Sequence, residues 1–352
     1  MAPTEKITIN DIARRTGLSK GTVDRVLHNR GEVSKKSYDK VMKVIQELGY
    51  EPNVYASLLA KGGSQLVAVL IPGHEPGSFW ELAASGIGKA AEGPGTIGVR
   101  IDLFEYDQYD IDSFREACTR VLDAQPAGVV VAPLFQEETL AFAGRLKEQG
   151  IPYVYVDSKP ESDEGNLAYF GMPLYKSGYL CADQLTAGQE NVESVLMVRV
   201  RRDRLQQSDP TINRRAGVLD YMLEHSPECT LGNLFINPND PNGTYFKLDN
   251  WFQEHPEVKH VVMFNSRIHL IVPWLEDHPD PGRRIVGFDN LTANLDALRR
   301  GIVTSLIAQH PDDQVRLAVE TLAEYILRKK LPLRKDNFMH MDILTRYNVE
   351  YY

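Results

Sequence analysis

The chain opens on a run in which apolar residues return every three or four positions, the helical period. Ile9, Ile12 and Ala13 share one face of a first helix, which the capping-box spacing Thr8-Ile-Asn-Asp11 starts and which runs to about residue 16. Gly17 supplies the backbone freedom for a tight turn. Ser19 caps a second helix, residues 20 to about 28, with Val23, Val26 and Leu27 inward. Ser34 caps a third, residues 35–48, with Val41, Val44, Ile45 and Leu48 inward. Pro52 closes it, because the residue before proline disfavours helix. Asn53 then caps a short helix over 54–61, and Gly62-Gly63-Ser64 reads as a flexible joint.

From Leu66 the pattern changes to short apolar runs alternating with helical segments. Strands are predicted at 66–71, 99–104, 128–132 and 153–156, with helices at 79–91, 111–124 and 137–149 between them. The series resumes with helices at 177–185, 213–224, 245–253, 268–276 and 291–299. Strands at 195–200, 234–236, 260–264, 285–288 and 303–307 lie among them, and a long helix at 312–328 ends it. This alternation predicts parallel sheets flanked by helices. The expected class is therefore α/β, with an all-α helix-turn-helix domain at 1–52, a hinge helix and linker at 53–63, and a two-lobed body at 64–352. One lobe is expected to hold 64–160 with a return near 291–310, and the other 161–290 with 311–345, crossing over near 160–176. In open parallel sheets ligands lie beyond the carboxyl ends of the strands, so two facing halves enclose a cleft that hinge motion can close.

Charge divides the chain in the same way. The 352 residues carry a formal net charge of −9. Residues 1–62 hold 11 Lys and Arg against 7 Asp and Glu, so the head is +4 and the remainder −13. A basic head beside an acidic body points to a polyanionic partner for the head alone. No apolar run reaches membrane-spanning length and the start has no secretory apolar core, so a cytoplasmic protein with no membrane partner is expected. Cys118, Cys181 and Cys229 are odd in number and far apart, which predicts reduced, packed thiols. The histidines lack metal-site spacing, so no metal or other cofactor is expected. Without a nucleophile elbow, P-loop or metal motif, an enzyme is disfavoured. Gly86-x-Gly88-x-x-Ala91 matches a loose dinucleotide fingerprint but falls inside a predicted helix, away from the strand end such a site needs.

Two short helices joined by a glycine turn, with a third closing the core, make a helix-turn-helix. Its second helix enters the major groove with N-terminal side chains at the base edges. Lys20 and Arg25 are placed to meet the O6/N7 edge of guanine, while Thr22, Ser34, Lys35 and Lys36 sit where phosphate contacts fix register. The competing reading is a plain three-helix bundle, against which Ala13, Gly17 and Val23 stand at the required spacing. Leu59 suits insertion between base steps in the minor groove, although Leu58 and Leu59 can equally pack.

The run Ile9-Asn-Asp-Ile-Ala13, Gly17-Leu-Ser19, Thr22-Val23, Arg25-Val-Leu27, Val33-Ser34 and Tyr50-x-Pro52-Asn53 resembles the LacI/GalR family of transcription regulators. The resemblance implies a homodimer on near-palindromic double-stranded operator DNA, hinge helices that fold on DNA, and Leu59 as a wedge at the operator centre. Base reading would fall to Lys20, Gly21 and Arg25, with Thr8, Ser19, His28, Asn29, Asn53 and Ala56 completing the DNA-contacting set. Gly21 departs from the family in offering no side chain, and Asp24 stands where Ser is common.

The body is similar to the family's effector domain and to periplasmic sugar-binding proteins. The marks are Phe79-Trp80, Tyr153-Val-Tyr-Val-Asp157, Tyr169-Phe-Gly171, Arg214-Arg-Ala-Gly217, Phe264-Asn265, Gly287-Phe-Asp-Asn290 and Ile307-Ala-Gln309. By that likeness the ligand contacts are Phe79, Trp80, Asp157, Arg214, Asn265, Asp289 and Gln309. Carboxylates, arginine and amides pair with vicinal hydroxyls, and aromatic faces cover a sugar ring. Simpler readings are caps for the two aspartates, core for the two aromatics and a surface charge for Arg214. Arg201-Arg202-x-Arg204 reads as a solvated loop, with contact to an anionic ligand as the alternative. The expected function is ligand-controlled repression of carbohydrate-utilisation genes. The alternatives are a corepressor-type sensor of a non-sugar metabolite and, from another class, a sugar-modifying enzyme with a DNA-binding head.

Overall fold

The computed structural model describes residues 7–27, 31, 33–48, 64–160, 162–187, 189, 191–200 and 209–352. They fall into two units, Met1–Gly63 and Ser64–Tyr352. The expected hinge helix over 54–61 and the arginines at 201, 202 and 204 lie outside the described residues.

In the first unit the helices are α1 (Ile9–Thr16), α2 (Lys20–Leu27) and α3 (Lys35–Leu48). Thr8 and Asp11 close a reciprocal capping box, with the Thr8 N–H donating to Asp11 Oδ2 at 2.9 Å. Gly17 ends α1 at φ +64, a left-handed position that costs glycine no Cβ clash. Ser19 accepts from the Thr22 N–H at 3.1 Å and Ser34 from the Ser37 N–H at 3.3 Å, so the two remaining helix starts are also satisfied. Ile12, Val23, Val26, Val41 and Val44 meet in one small core.

The second unit holds two six-stranded sheets. The first is built from β1 (Gln65–Pro72), β2 (Val99–Tyr106), β3 (Gly128–Val131), β4 (Tyr153–Asp157), β5 (Ala168–Gly171) and, from far along the chain, β11 (Asp336–Phe338). Their order is β11-β5-β4-β3-β1-β2. The second uses β6 (Ser194–Val200), β7 (Thr230–Ile236), β8 (His260–Met263), β9 (Arg284–Phe288), β10 (Ser305–Ala308) and β12 (Asp342–Leu344), in the order β12-β10-β9-β8-β6-β7. All neighbours are parallel except β12 against β10. The central strands are buried along their whole length, which is why they read as unbroken apolar runs.

Helices α4 (Phe79–Ala91), α5 (Ile111–Asp123) and α6 (Gln136–Glu148) lie between strands of the first sheet. Those between strands of the second are α7 (Leu174–Thr186), α8 (Asp209–His225), α9 (Pro241–Glu254), α10 (Val272–Asp277) and α11 (Thr292–Arg299). The last helix, α12 (Pro311–Arg328), packs on α4 and on β1, β3, β4 and β5.

These pairings keep 64–160 in the first lobe and most of 161–290 in the second, but exchange the expected C-terminal returns. The stretch 291–310 belongs with the second sheet, where β10 lies between β9 and β12, and helix 311–328 covers the first. The expected crossover near 160–176 also contains a strand, β5, so the chain leaves the first lobe only after Gly171. Apolar alternation identifies a strand but not its partner, which is fixed by contacts remote in sequence. The chain crosses between lobes again at 308–311 and at 338–342.

Gly86 of the dinucleotide-like motif has a structural use. A Cβ there would lie 2.1 Å from the Asp312 carbonyl, so glycine lets α4 and α12 touch. Cys118 and Cys181 are buried, and burial pushes both thiols up to about 12, well away from reactivity. Among the described residues no helix is long and apolar enough to cross a membrane, and no cluster of His, Cys, Asp or Glu is arranged to hold a metal.

Candidate functional site

Two aspartates mark corresponding places in the second unit. β4 ends on Asp157 and β9 is followed at once by Asp289, and each strand is third from the edge of its sheet. Both residues take left-handed backbone, φ +65 and +69, a conformation that Asp tolerates better than most residues. Each carboxylate is thereby set at the carboxyl end of a central strand. The Asp157 N–H donates to Gln314 Oε1 at 3.0 Å, and Gln314 Nε2 donates to the Gln309 carbonyl at 3.0 Å.

Arg214 is brought beneath the second aspartate by close packing of α7 on α8. A Cβ on Gly178 would stand 1.9 Å from the Arg214 carbonyl, and one on Gly217 2.1 Å from that of Tyr175. The Arg214 guanidinium, 3% exposed, donates to the Phe264 carbonyl at 2.8 Å and to Gln309 Oε1 at 3.3 Å, and lies 4.2 Å from the Phe288 ring centroid. Gln309 Nε2 in turn donates to Asp289 Oδ1 at 2.9 Å. Burial pushes the Asp289 carboxyl up to about 6, against the opposing pull of Arg214 and of the Gln309 hydrogen bond. Arg214 Nε is buried with no acceptor, one donor left over from the network.

These groups line a single cleft of about 1070 Å³ between the lobes of the second unit. All seven residues expected from the sequence meet there: Phe79, Trp80, Asp157, Arg214, Asn265, Asp289 and Gln309. The aromatic pair opens α4 behind its cap Ser78, edge to face at 4.9 Å. Trp80 belongs also to the first lobe's core, whereas Phe79 is only half-buried. Asn265 Oδ1 accepts from the Arg267 N–H at 3.0 Å, which closes the turn after β8.

Several lining residues escaped the sequence reading. Arg199, Arg267 and His269 face the same cleft. Fully buried Asn294 stands behind it, its Nδ2 donating to the carbonyls of Ser266, Phe288 and Asp289 and its Oδ1 lying 2.9 Å from His269 Nδ1. Burial lowers the His269 pKa, which favours the neutral ring. Arg199 could have been found, since it is the one charge in the strand Ser194–Val200. Asn294 sits in an ordinary helical pattern and gave no signal.

In the first unit, Lys20, Gly21 and Arg25 are exposed on α2, with Gly21 one turn before Arg25 on the same face. Lys20 and Arg25 form no ion pair among the described residues. Thr8, Ser19, Ser34, Lys35 and Lys36 are exposed and Thr22 is half-buried. The hydroxyls of Thr8, Ser19 and Ser34 are engaged as caps. The expectations for His28, Asn29, Asn53, Ala56 and Leu59 fall outside the described residues.

Two family models match the chain: a periplasmic binding protein domain over residues 67–330, and bacterial regulatory proteins of the lacI family over residues 8–53. The crystal structure of a LacI transcriptional regulator from Bacteroides fragilis superposes with a TM-score of 0.76 at 32% identity, covering 82% of this chain and 99% of that one. A glucose-galactose binding protein from Geobacillus stearothermophilus shares the fold, with a TM-score of 0.69 at 18% identity over 81% of this chain and 98% of its own. The ribose operon repressor of Halalkalibacterium halodurans is 31% identical over 128 residues, 36% of this chain and 37% of that protein. The curated relatives are matched over about half of their length or less. A lacI-type head at residues 8–53, a periplasmic-binding-protein body at 67–330 and the likeness to the Bacteroides regulator over 82% of this chain together place it in the LacI family of bacterial regulatory proteins.

Proposed function

We propose that the protein is a ligand-responsive, sequence-specific DNA-binding regulator of transcription whose cleft takes a carbohydrate or carbohydrate derivative. The observation that carries this reading is the convergence of Phe79, Trp80, Asp157, Arg214, Asn265, Asp289 and Gln309 on one cleft at the carboxyl ends of two facing sheets. An aromatic wall beside buried carboxylate, guanidinium and amide groups matches a polyol, whose hydroxyls both donate and accept. The name of the ribose operon repressor, a relative by sequence, agrees with that ligand class.

In the head, exposed Lys20 and Arg25 are the base-reading groups, and Ser19, Thr22, Ser34, Lys35 and Lys36 hold phosphates. Thr8 and Gly21 join them in the DNA face. His28, Asn29, Asn53, Ala56 and Leu59 complete the contacts. The protein acts as a cytoplasmic homodimer, since a two-fold operator needs two heads. Repression relieved by ligand is the mode we favour.

The test is binding of the full-length protein to fragments of its own genome in the presence of competitor DNA, with and without a panel of sugars. Selection of particular fragments, altered by a member of the panel, supports the reading. Uniform retention of all fragments refutes sequence recognition, and selective binding that no small molecule shifts refutes the sensor.

A further inference from the structure

β6 carries a charge where every other residue after Ser194 is apolar. Arg199 is 9% exposed, and its guanidinium lies 4.9 Å from the ring centroid of Phe235 on the neighbouring strand β7. It lines the cleft, and among the described residues it has no hydrogen bond and no ion pair. The charge bearing on it is another cation. Arg215, on α8, opposes it and likewise lacks a carboxylate partner among the described residues, with its Nε buried and unmet. Burial and that repulsion both pull Arg199 below the ordinary guanidinium range, yet an arginine stays protonated in a protein.

A cation that has lost much of its water without gaining a counter-ion is unfavourable, and water in the cleft relieves Arg199 only in part. The Phe235 ring offsets part of this but accepts none of the five N–H donors. Among the described residues no carboxylate of the cleft pairs with it, and Asp157 lies at the end of β4 in the first lobe. Glu75, Glu105 and Asp107 are exposed on the first lobe, where water screens them, and Glu105 stands 3.7 Å from His74. Asp289 is bonded to Gln309. The wall formed by the second lobe thus presents Arg199 to the cleft as a guanidinium fork that has no acceptor among the described residues.

We infer that the ligand of the cleft carries an anionic oxygen group, a carboxylate or a phosphate, on a polyol body, and that Arg199 receives that group. The inference rests on the reading of the cleft as a carbohydrate site and adds the charge. A guanidinium matches either group with two parallel hydrogen bonds, which a neutral hydroxyl cannot reproduce. Arg267, which reaches over Tyr109 at 5.8 Å, adds positive potential to the same wall. The hydroxyl-bearing part of the ligand then faces Asp289, Asn265 and the aromatic pair.

Calorimetric titration of the full-length protein with matched pairs tests this: D-glucose, D-glucuronate and D-glucose 6-phosphate, and D-galactose, D-galacturonate and D-galactose 6-phosphate. At least one charged member should bind about tenfold or more tighter than its neutral parent, the gain expected of a charge-assisted pair. Which charged member wins tells carboxylate from phosphate. Arg199→Gln should bring the charged and neutral partners to near parity, while Arg199→Lys, which keeps the charge but not the fork, should retain part of the preference. Neutral sugars binding as tightly as their charged partners would overturn the inference and leave the carbohydrate reading standing. A preference that survives in Arg199→Gln would also overturn it. Binding by no member of either series would overturn both.

Discussion

Gln309 Nε2 stands 2.9 Å from Asp289 Oδ1, and the amide's other end accepts from Arg214, so one side chain links a buried carboxylate to a buried guanidinium. Gln309 also lies at the 308–311 crossing between the lobes of the second unit, next to His310 at φ +54. A ligand that engages this trio touches the chain where lobe closure must bend it. Gln309→Leu keeps the volume but leaves the Asp289 oxygen and one Arg214 donor unmet. Its stability to urea should fall by about 1–3 kcal/mol, the penalty for a stranded buried polar group. An unchanged denaturation midpoint would mean that water replaces the amide.

Asp289 ties stability to pH. Its carboxyl is pushed up to about 6 in the folded protein, above the ordinary carboxylate value near 4, because burial disfavours the charge. The folded state therefore holds the proton more tightly than the unfolded chain. The contribution is present below about pH 4, is lost as pH rises through about 6, and amounts to roughly 3 kcal/mol. Asp289→Asn removes this dependence. Melting temperatures of the two proteins should diverge in favour of the variant between pH 4 and 7, and parallel curves would exclude the shift. Ligand hydroxyls that donate to the ionised carboxylate should bind more tightly as pH rises through the same range.

Gly178 sets the height of Arg214. A methyl group there would collide with the Arg214 backbone carbonyl at 1.9 Å, and backbone cannot swing aside as a side chain does. Gly178→Ala should cost about 1–3 kcal/mol or more through forced separation of α7 from α8. Ligand affinity should fall as well, because α8 carries Arg214 away from Gln309. Differential scanning calorimetry and ligand titration together check this, and a stable variant with normal affinity would show that the helices part without moving the site.

Most of the elements were legible because their signals are local. Val23, Val26 and Val41 announce the helical core by spacing, and 128–131 and 153–157 announce central strands as apolar runs between turn residues. The cleft set came from the likeness to sugar-binding proteins, and position agrees with it: Asp157, Asn265, Asp289 and Gln309 all lie at or just past strand ends, where parallel sheets bind ligands. What failed was long-range pairing. β11 joins β5 across more than 160 residues, and nothing in Asp336–Phe338 states its partner. The return of 311–328 to the first lobe is of the same kind. Asn294 illustrates a further limit, since a helical residue gives no sign that three carbonyls converge on its amide.

Gly21 can take a side chain without strain. An added Cβ would meet only Ser19 Oγ at 3.9 Å, and the residue lies on the exposed first turn of α2. Gly21→Ala should raise the head's stability by a few tenths to about 1 kcal/mol through the lower entropy of its unfolded chain. On the proposed DNA face, the same change should alter the preferred base at one operator position. Unchanged stability together with unchanged base preference would place residue 21 away from both helix energetics and DNA.

Lys20 and Arg25 carry the last prediction because they separate base reading from general attraction to DNA. Both are exposed, and neither is held by a carboxylate among the described residues, so each is available to a partner. A bidentate contact to guanine is worth about 1–3 kcal/mol of discrimination. Lys20→Ala and Arg25→Ala should each weaken binding to a selected operator by that amount and relax preference at one base pair. Lys35→Ala, at a phosphate position, should weaken all sequences alike and lower the salt dependence by about one counter-ion. Fluorescence anisotropy on the operator and on scrambled duplexes, each across a range of salt, distinguishes these outcomes. Equal losses on both duplexes for Lys20→Ala and Arg25→Ala would show that α2 grips the backbone and that another element reads the bases.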